Sequence, residues 1–396
     1  MNKQALLVYT KEAREMLRDK RVRSSALFGP FFLVFIMMMS FGTLIEKIKK
    51  PSFIKVHVVR SNVANPFVEA LRKSNATVIE VGSLDEGRRL IQDGKASIIL
   101  QFQDNYKELL SKGQPTTIQA VYDSKEQRSE VALSVMQRMV SEQNKKTLEA
   151  LMETKGLPAA FAAPVQIKSE DATRAKGTNE LLLALLPYLI VFWAFIGGVS
   201  AASDLVAGEK ERNTLETLLI TPVPRTKLVW GKFLALATLC FMSSLSGLAA
   251  VYVAAYSHLP GMDTMFKNGS GLEPAAVAAI ILVLIPTVLF FASVLIAIST
   301  YAKNTREAQT YLSLTSLLVS FPALASQFIG FSDAASARWI SLIPVLNASA
   351  AVRSALIGKL DATTVLLTTG TSAVLAIISI VVAVRLFNRE EVLLRV

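Results

Sequence analysis

Six apolar runs constrain this chain more than any other feature: Ser24–Ile45, Leu181–Ala202, Leu234–Tyr256, Pro274–Tyr301, Ala308–Gly330 and Thr363–Leu386. Each reaches the length of about 20 residues that a helix needs to cross the hydrocarbon of a bilayer. Within a bilayer the backbone polar groups must be satisfied inside the segment, so such runs fold as helices. The expected fold is an α-helical polytopic membrane protein of about six transmembrane helices. A polar stretch of some length separates the first run from the second, and the reading places an extracytoplasmic α/β domain there.

The chain of 396 residues is 52% hydrophobic and carries a net charge of +11. That balance raises nucleic acid as a partner, but no basic patch interleaved with aromatics accompanies it. Much of the excess lies at the N-terminus and in short loops, where positive charge orients a membrane protein. The expected partner is the lipid bilayer, with no nucleic acid. The one cysteine, Cys240, lies inside an apolar run, which excludes a disulfide framework and a Cys-rich metal site. His57 and His258 make a His-based site no better supported, and no metal ligands are assigned.

Residues 1–23 read as an amphipathic cytoplasmic helix. Ala5, Leu6, Val8, Ala13, Met16 and Leu17 supply its apolar positions, and lysines and arginines dominate the rest. Such a helix lies on a membrane surface and leads into the first span; a plain charged flank is the alternative. Residues 24–45 are too long for a signal-peptide core and end without an A-x-A pattern, so they read as a retained first transmembrane helix.

Residues 46–180 alternate in pattern. Strands are expected at Ile54–Val59, Thr77–Val81, Ala96–Phe102 and Thr116–Tyr122, with helices at Pro66–Lys73 and Leu84–Gln92. Short helices between short apolar strands predict βαβ units and a small mixed or parallel sheet. A long helix is expected over Glu126–Lys155, with Leu133, Met136, Val140, Leu148 and Leu151 on or near one stripe. Pro164–Lys168 is a candidate final strand.

Residues 181–396 form the five-helix remainder. Lys210, Arg212, Arg225, Lys227 and Lys232 lie between the second and third runs, Lys303 and Arg306 between the fourth and fifth, and Arg389 and Arg395 after the last. The loop between the third and fourth offers only Lys267. The positive-inside rule therefore puts both termini in the cytoplasm of a multi-pass protein of the cell (inner) membrane, and the long inserted domain outside.

The most informative stretch is Gly208–Lys232, GEKERNTLETLLITPVPRTKLVWGK. Glu209, Lys210, Glu211 and Arg212 open a short helix, residues 208–220, with acids where the helix dipole favours them. Arg212 lies three residues from Glu209 and four from Glu216, so these charges share a face. Leu215, Leu218 and Leu219 share another, and Thr221-Pro222-Val223-Pro224 ends the helix. A short helix held between two spans is a lever, because a partner gripping it pushes both spans. A solvated loop serving only orientation is the competing interpretation of the spacing.

Over Glu209–Val223 the string resembles the ABC type-2 permease family, in which E-K-E-R-x-T-L-E-x-L-L-x-T-P-V follows the second span. Many members carry Gly where this sequence has Asn213, and Asn is the next most tolerant residue for a left-handed conformation. The resemblance implies a coupling helix that docks into a cleft of a separate ATPase subunit. It implies charge pairing with the ATPase for Glu209, Glu211, Arg212 and Glu216, and apolar docking or anchoring for Leu215 and Leu218. Thr214 and Pro222 complete the implied set. Along the whole chain the layout is similar to NatB-like sodium-export permeases. Ile340–Leu360 resembles the family's short re-entrant segment, and Pro344 and Asn347 break it.

No P-loop string occurs, so ATP belongs to the implied partner, and this chain is expected to bind no cofactor and catalyse nothing. The family also implies a homodimer or a paired homologous permease. Runs without clear carboxylates argue against a secondary transporter. Hydroxyls and broken-helix carbonyls can still coordinate sodium; the weak candidates for a substrate path are Ser243, Ser246, Thr315, Ser316 and Asn347. Drugs, peptides or lipids remain open as cargo. The rival class is a membrane receptor with an extracytoplasmic sensory domain, which the short cytoplasmic loops disfavour.

Overall fold

The computed structural model describes residues 3–49, 55–59, 66–73, 77–93, 95–103, 105, 108–109, 116–123, 127–154, 180–260, 262–266, 274–329, 342–356 and 362–389. Two compact units divide the chain: Met1–Gly42 with Ala172–Val396, and Thr43–Asp171.

Thr43–Asp171 contains a mixed four-stranded sheet of β1 (Lys55–Val59), β2 (Thr77–Val81), β3 (Ile98–Phe102) and β4 (Ile118–Tyr122). The order is β2-β1-β3-β4, with β1 parallel to β2 and β3, and β4 antiparallel to β3. Helices Pro66–Lys73 and Leu84–Gln92 make the two parallel crossovers at the residues expected for them. Ser83 caps the second of these by accepting from the Glu86 amide at 3.2 Å. Because side chains alternate along a strand, Val56, Val58, Ile98, Leu100 and Phe102 pack on Phe67, Val68 and Leu71 on one face. Val59 and Ile99 meet Ile91 and Ala96 on the other. The long helix runs Gln127–Thr154, and Leu133, Met136 and Val140 pack on the sheet. Leu148, further along the same helix, is exposed. The candidate strand at Pro164–Lys168 lies outside the described residues.

In the other unit, helix Lys3–Arg18 stops at Asp19, whose carboxylate caps the next turn by accepting from the Arg21 amide at 2.7 Å. From Lys20 to Lys49 the backbone is helical throughout, with a π-turn over Ser24–Phe28. The helix break falls at Asp19, where the side-chain cap is, rather than at Ser24, where the flank was expected to meet the first run. The π-turn precedes Pro30, which has no amide to donate to the turn below it.

Five helical stretches have the length and hydropathy of membrane spans among the described residues: Lys20–Leu44, Leu185–Glu211, Arg225–Tyr256, Pro274–Tyr301 and Ala362–Asn388. The other expected span, Ala308–Gly330, forms helix Thr305–Ile329, but Thr310, Ser313, Thr315, Ser316 and Ser320 leave it less apolar. Pro187, Pro286 and Pro322 are each accommodated inside their helices. Small residues let the backbones approach: a Cβ on Gly197 would lie 2.1 Å from Ser243 Oγ, and Phe195 packs edge-on against Phe291 at 5.3 Å. Among the described residues of the segment before the last helix is a short buried helix, Leu346–Leu356, entered through Val345 at φ 72°. Residues 340–341 and 357–360 of that segment lie outside the described residues.

Candidate functional site

Helix Glu180–Leu205 does not end where its apolar run does. After a distortion at Val206 (φ −125°, ψ −48°) the chain turns once more as Ala207–Glu211. The amides freed at Val206 and Ala207 both reach Ser299 Oγ, at 3.2 and 3.3 Å. Asn213 then takes φ 58°, ψ 16°, and helix Thr214–Leu219 follows. The single helix expected over 208–220 is therefore two short ones. The physical reason is the left-handed residue between them, which Asn adopts at less cost than residues with larger side chains.

That break sets where the four charges go. Glu209 turns inward: its Oε1 accepts from Lys232 Nζ at 2.7 Å, and Lys11 stands 3.9 Å away. Its Oε2 is buried and has no hydrogen-bond partner among the described residues. Lys210 donates to the carbonyls of Thr300 (2.5 Å) and Ala302 (3.0 Å), closing the C-terminus of helix Pro274–Tyr301, where a cation is favoured. Glu211 Oε2 accepts the Thr305 amide at 3.0 Å and so caps helix Thr305–Ile329. Arg212 pairs with Asp204, in the last turn of helix Glu180–Leu205, and donates to the Gly208 carbonyl. Each of the four consecutive charges thus ties the segment to a different partner.

Lys232 is the centre of this arrangement. It is fully buried in helix Arg225–Tyr256, and its ammonium bonds Glu12 Oε1 (2.9 Å), Glu209 Oε1 (2.7 Å) and the Leu205 carbonyl (3.0 Å). An ammonium has three donors, and all three are used. Glu12 comes from the N-terminal helix and also accepts from Lys11 at 3.1 Å. Burial by itself drives the Glu12 carboxyl upward, but Lys232 and Lys11 outweigh it and hold the group below the ordinary carboxyl range.

Among the expected coupling residues, Leu215 is buried in the core and anchors its helix, with Leu219 packed beside it. Leu218 is half-buried. Thr214 donates to the Glu209 carbonyl at 3.3 Å. Glu216 and Pro222 are exposed, and so is Ile220, 84% of whose surface is open. The resemblance assigned pairing with a partner to Glu209, Glu211 and Arg212, and the geometry gives all three partners within this chain. The face left open is Thr214, Glu216, Thr217, Ile220, Thr221 and Pro222.

The weak path candidates separate. Ser243 is buried against Gly197, and Ser246 bonds the Leu27 carbonyl, joining two spans. Thr315 and Ser316 bond back to the Tyr311 and Leu312 carbonyls of their own helix, at 2.8 and 2.7 Å. Asn347 donates to Thr371 Oγ1 at 2.9 Å.

Sequence reading missed Glu12, Asp204, Ser299, Thr305 and Ile220 as parts of this site. One signal was present: Ala5, Glu12 and Met16 fall at i, i+7 and i+11, a single helix face, and all three are buried. A glutamate on an apolar stripe announces a buried partner.

A family model described as ABC-2 family transporter protein matches residues 20–385. The ABC transporter permease protein NatB of Bacillus subtilis (strain 168) is 27% identical over 387 residues, which cover 97% of this chain and 98% of that protein.

Proposed function

The chain belongs to the ABC-2 family of transporter proteins, and from that premise we propose that it is the membrane subunit of an ATP-driven exporter, worked by a separate ATPase chain through helix Thr214–Leu219. The observation that carries the docking role is the outward face of that helix. Leu215 is anchored in the core while Glu216, Thr217, Ile220 and Pro222 are open, and Ile220 is a large apolar side chain held out by a short, tethered element. An exposed aliphatic group beside a carboxylate fits a cleft in a partner protein. The inward charges keep the lever stiff, so a push on the open face reaches the ends of the helices tied to Glu209, Lys210 and Glu211.

In this reading both termini are cytoplasmic, helix Thr305–Ile329 completes six spans, and residues 46–180 form the extracytoplasmic domain. The more polar composition of Thr305–Ile329 fits a helix that faces protein or a path rather than lipid alone. Two copies, or this chain with a homologous permease, would serve two ATPases. Sodium is the proposed cargo on the resemblance noted in the sequence.

The test of docking is co-purification of the ATPase from membranes. Glu216→Lys with Ile220→Asp should abolish association while leaving membrane insertion and the unfolding temperature in place; wild-type association of that variant would refute the docking face. For the cargo, ATP-driven uptake of radiolabelled sodium into inside-out vesicles holding both chains is decisive. Hydrolysis without uptake would keep the exporter and discard sodium in favour of organic substrates.

A further inference from the structure

The N-terminal helix Lys3–Arg18 is fastened to helix Arg225–Tyr256 along its length. Lys227 Nζ donates to Gln4 Oε1 at 2.6 Å, and Tyr9 OH lies 3.4 Å from Thr238 Oγ1. Between them, Gly231 admits Val8: a Cβ at that position would lie 2.5 Å from the Val8 Cβ and 3.1 Å from the Ala5 carbonyl oxygen. Apolar packing alone would suffice to hold a helix here, and replacing a buried ion pair by well-packed hydrophobic residues is often neutral or stabilising. The buried charge therefore needs a reason beyond attachment. That reason is geometric, since one ammonium takes Glu12 from the N-terminal helix and, with its other two donors, Glu209 and the Leu205 carbonyl from the entry to the coupling segment.

We infer that Lys232 is a positioning residue that locks the N-terminal helix to the Glu209–Arg212 segment, so that the two move as one body when the coupling helix is pushed. This rests on the coupling reading above. It extends the lever to the first span, because Lys3–Arg18 leads through the Asp19 cap into the helix that continues to Lys49. The segment would then act on the first, fourth and fifth helices together with the second and third, and the N-terminal helix would be a driven part rather than a membrane anchor only.

Two readouts test it. Ala5 is buried under this contact and the native Cys240 is fully buried, so a single Ala5→Cys substitution reports release of the helix by its rate of alkylation with a membrane-permeant maleimide. Adding Glu12→Gln, or separately Lys232→Met, should raise that rate at least about tenfold, in proportion to the population of the open form. Lys232→Arg keeps a cation with donors for Glu12, Glu209 and the Leu205 carbonyl and should stay near the rate of Ala5→Cys alone. In complexes purified with the ATPase, Glu12→Gln should leave association intact and lower hydrolysis stimulated by the permease, and Lys232→Arg should keep both near those of the unaltered chain.

Unchanged alkylation in both single variants would overturn the lock. A released helix with full stimulated hydrolysis would overturn its part in transmission, and release in Lys232→Arg equal to that in Lys232→Met would overturn the role of the cation. Should no ATPase associate with the unaltered chain, the coupling reading fails, and the alkylation arm still decides whether Lys232 holds the helix.

Discussion

Asn213 and Glu12 show how much a single position decides here. At φ 58° Asn213 is in the region that β-branched residues resist, and its turn separates the inward charges from the outward helix. Asn213→Gly should be close to neutral. Asn213→Val should destabilise the fold by about 1–2 kcal/mol, read as a lower midpoint in detergent unfolding; an equal midpoint would show that the backbone relaxes. Glu12 gives a pH prediction whose sign follows from its environment. Its carboxyl is held low in the folded chain by Lys232 and Lys11, with Glu209 the opposing acid nearby. The stabilisation it supplies is present above the ordinary carboxyl range and is lost as pH falls through the depressed value. The difference in unfolding temperature between the parent chain and Glu12→Gln should therefore begin to shrink as pH enters the ordinary carboxyl range and close only below it, at the depressed value. Closure already at mild acidity would mean that Lys232 does not hold that charge.

Elements meet at the segment through their ends. Lys210 closes the C-terminus of helix Pro274–Tyr301, Glu211 opens Thr305–Ile329, and Glu307 accepts the Lys303 amide at 2.7 Å while the Tyr311 hydroxyl bonds its other oxygen. Helix termini carry unsatisfied groups, which makes them natural attachment points for charged side chains. Glu211→Ala removes a cap worth about 1 kcal/mol. The amides of Thr305 and its neighbours should exchange with deuterium faster, while the middle of that helix keeps its protection. Uniform loss of protection along the helix would instead mean that Glu211 supports the whole packing and not the terminus.

For the whole molecule, the proposed topology makes a paired prediction. An impermeant maleimide should label Asp85→Cys in intact cells and Ile220→Cys only in inside-out vesicles, both positions being exposed. Labelling of Ile220→Cys from outside would invert the orientation.

The elements of this fold were legible because they depend on local pattern. Apolar runs long enough for a bilayer, alternating strands such as Lys55–Val59 and a turn signal at Pro222 and Pro224 each follow from nearby residues. The string at Glu209 was legible as a motif, but its roles were not. Sequence by itself determined that four charges stand between two apolar helices and that residue 213 tolerates a left-handed turn. Tertiary structure alone decided which charges face inward, because Glu12 and Lys232 are 220 positions apart and Glu211 and Thr305 are 94 apart. A buried charge can lie inside only where an opposite one is brought to meet it, and that meeting is set by how the helices pack.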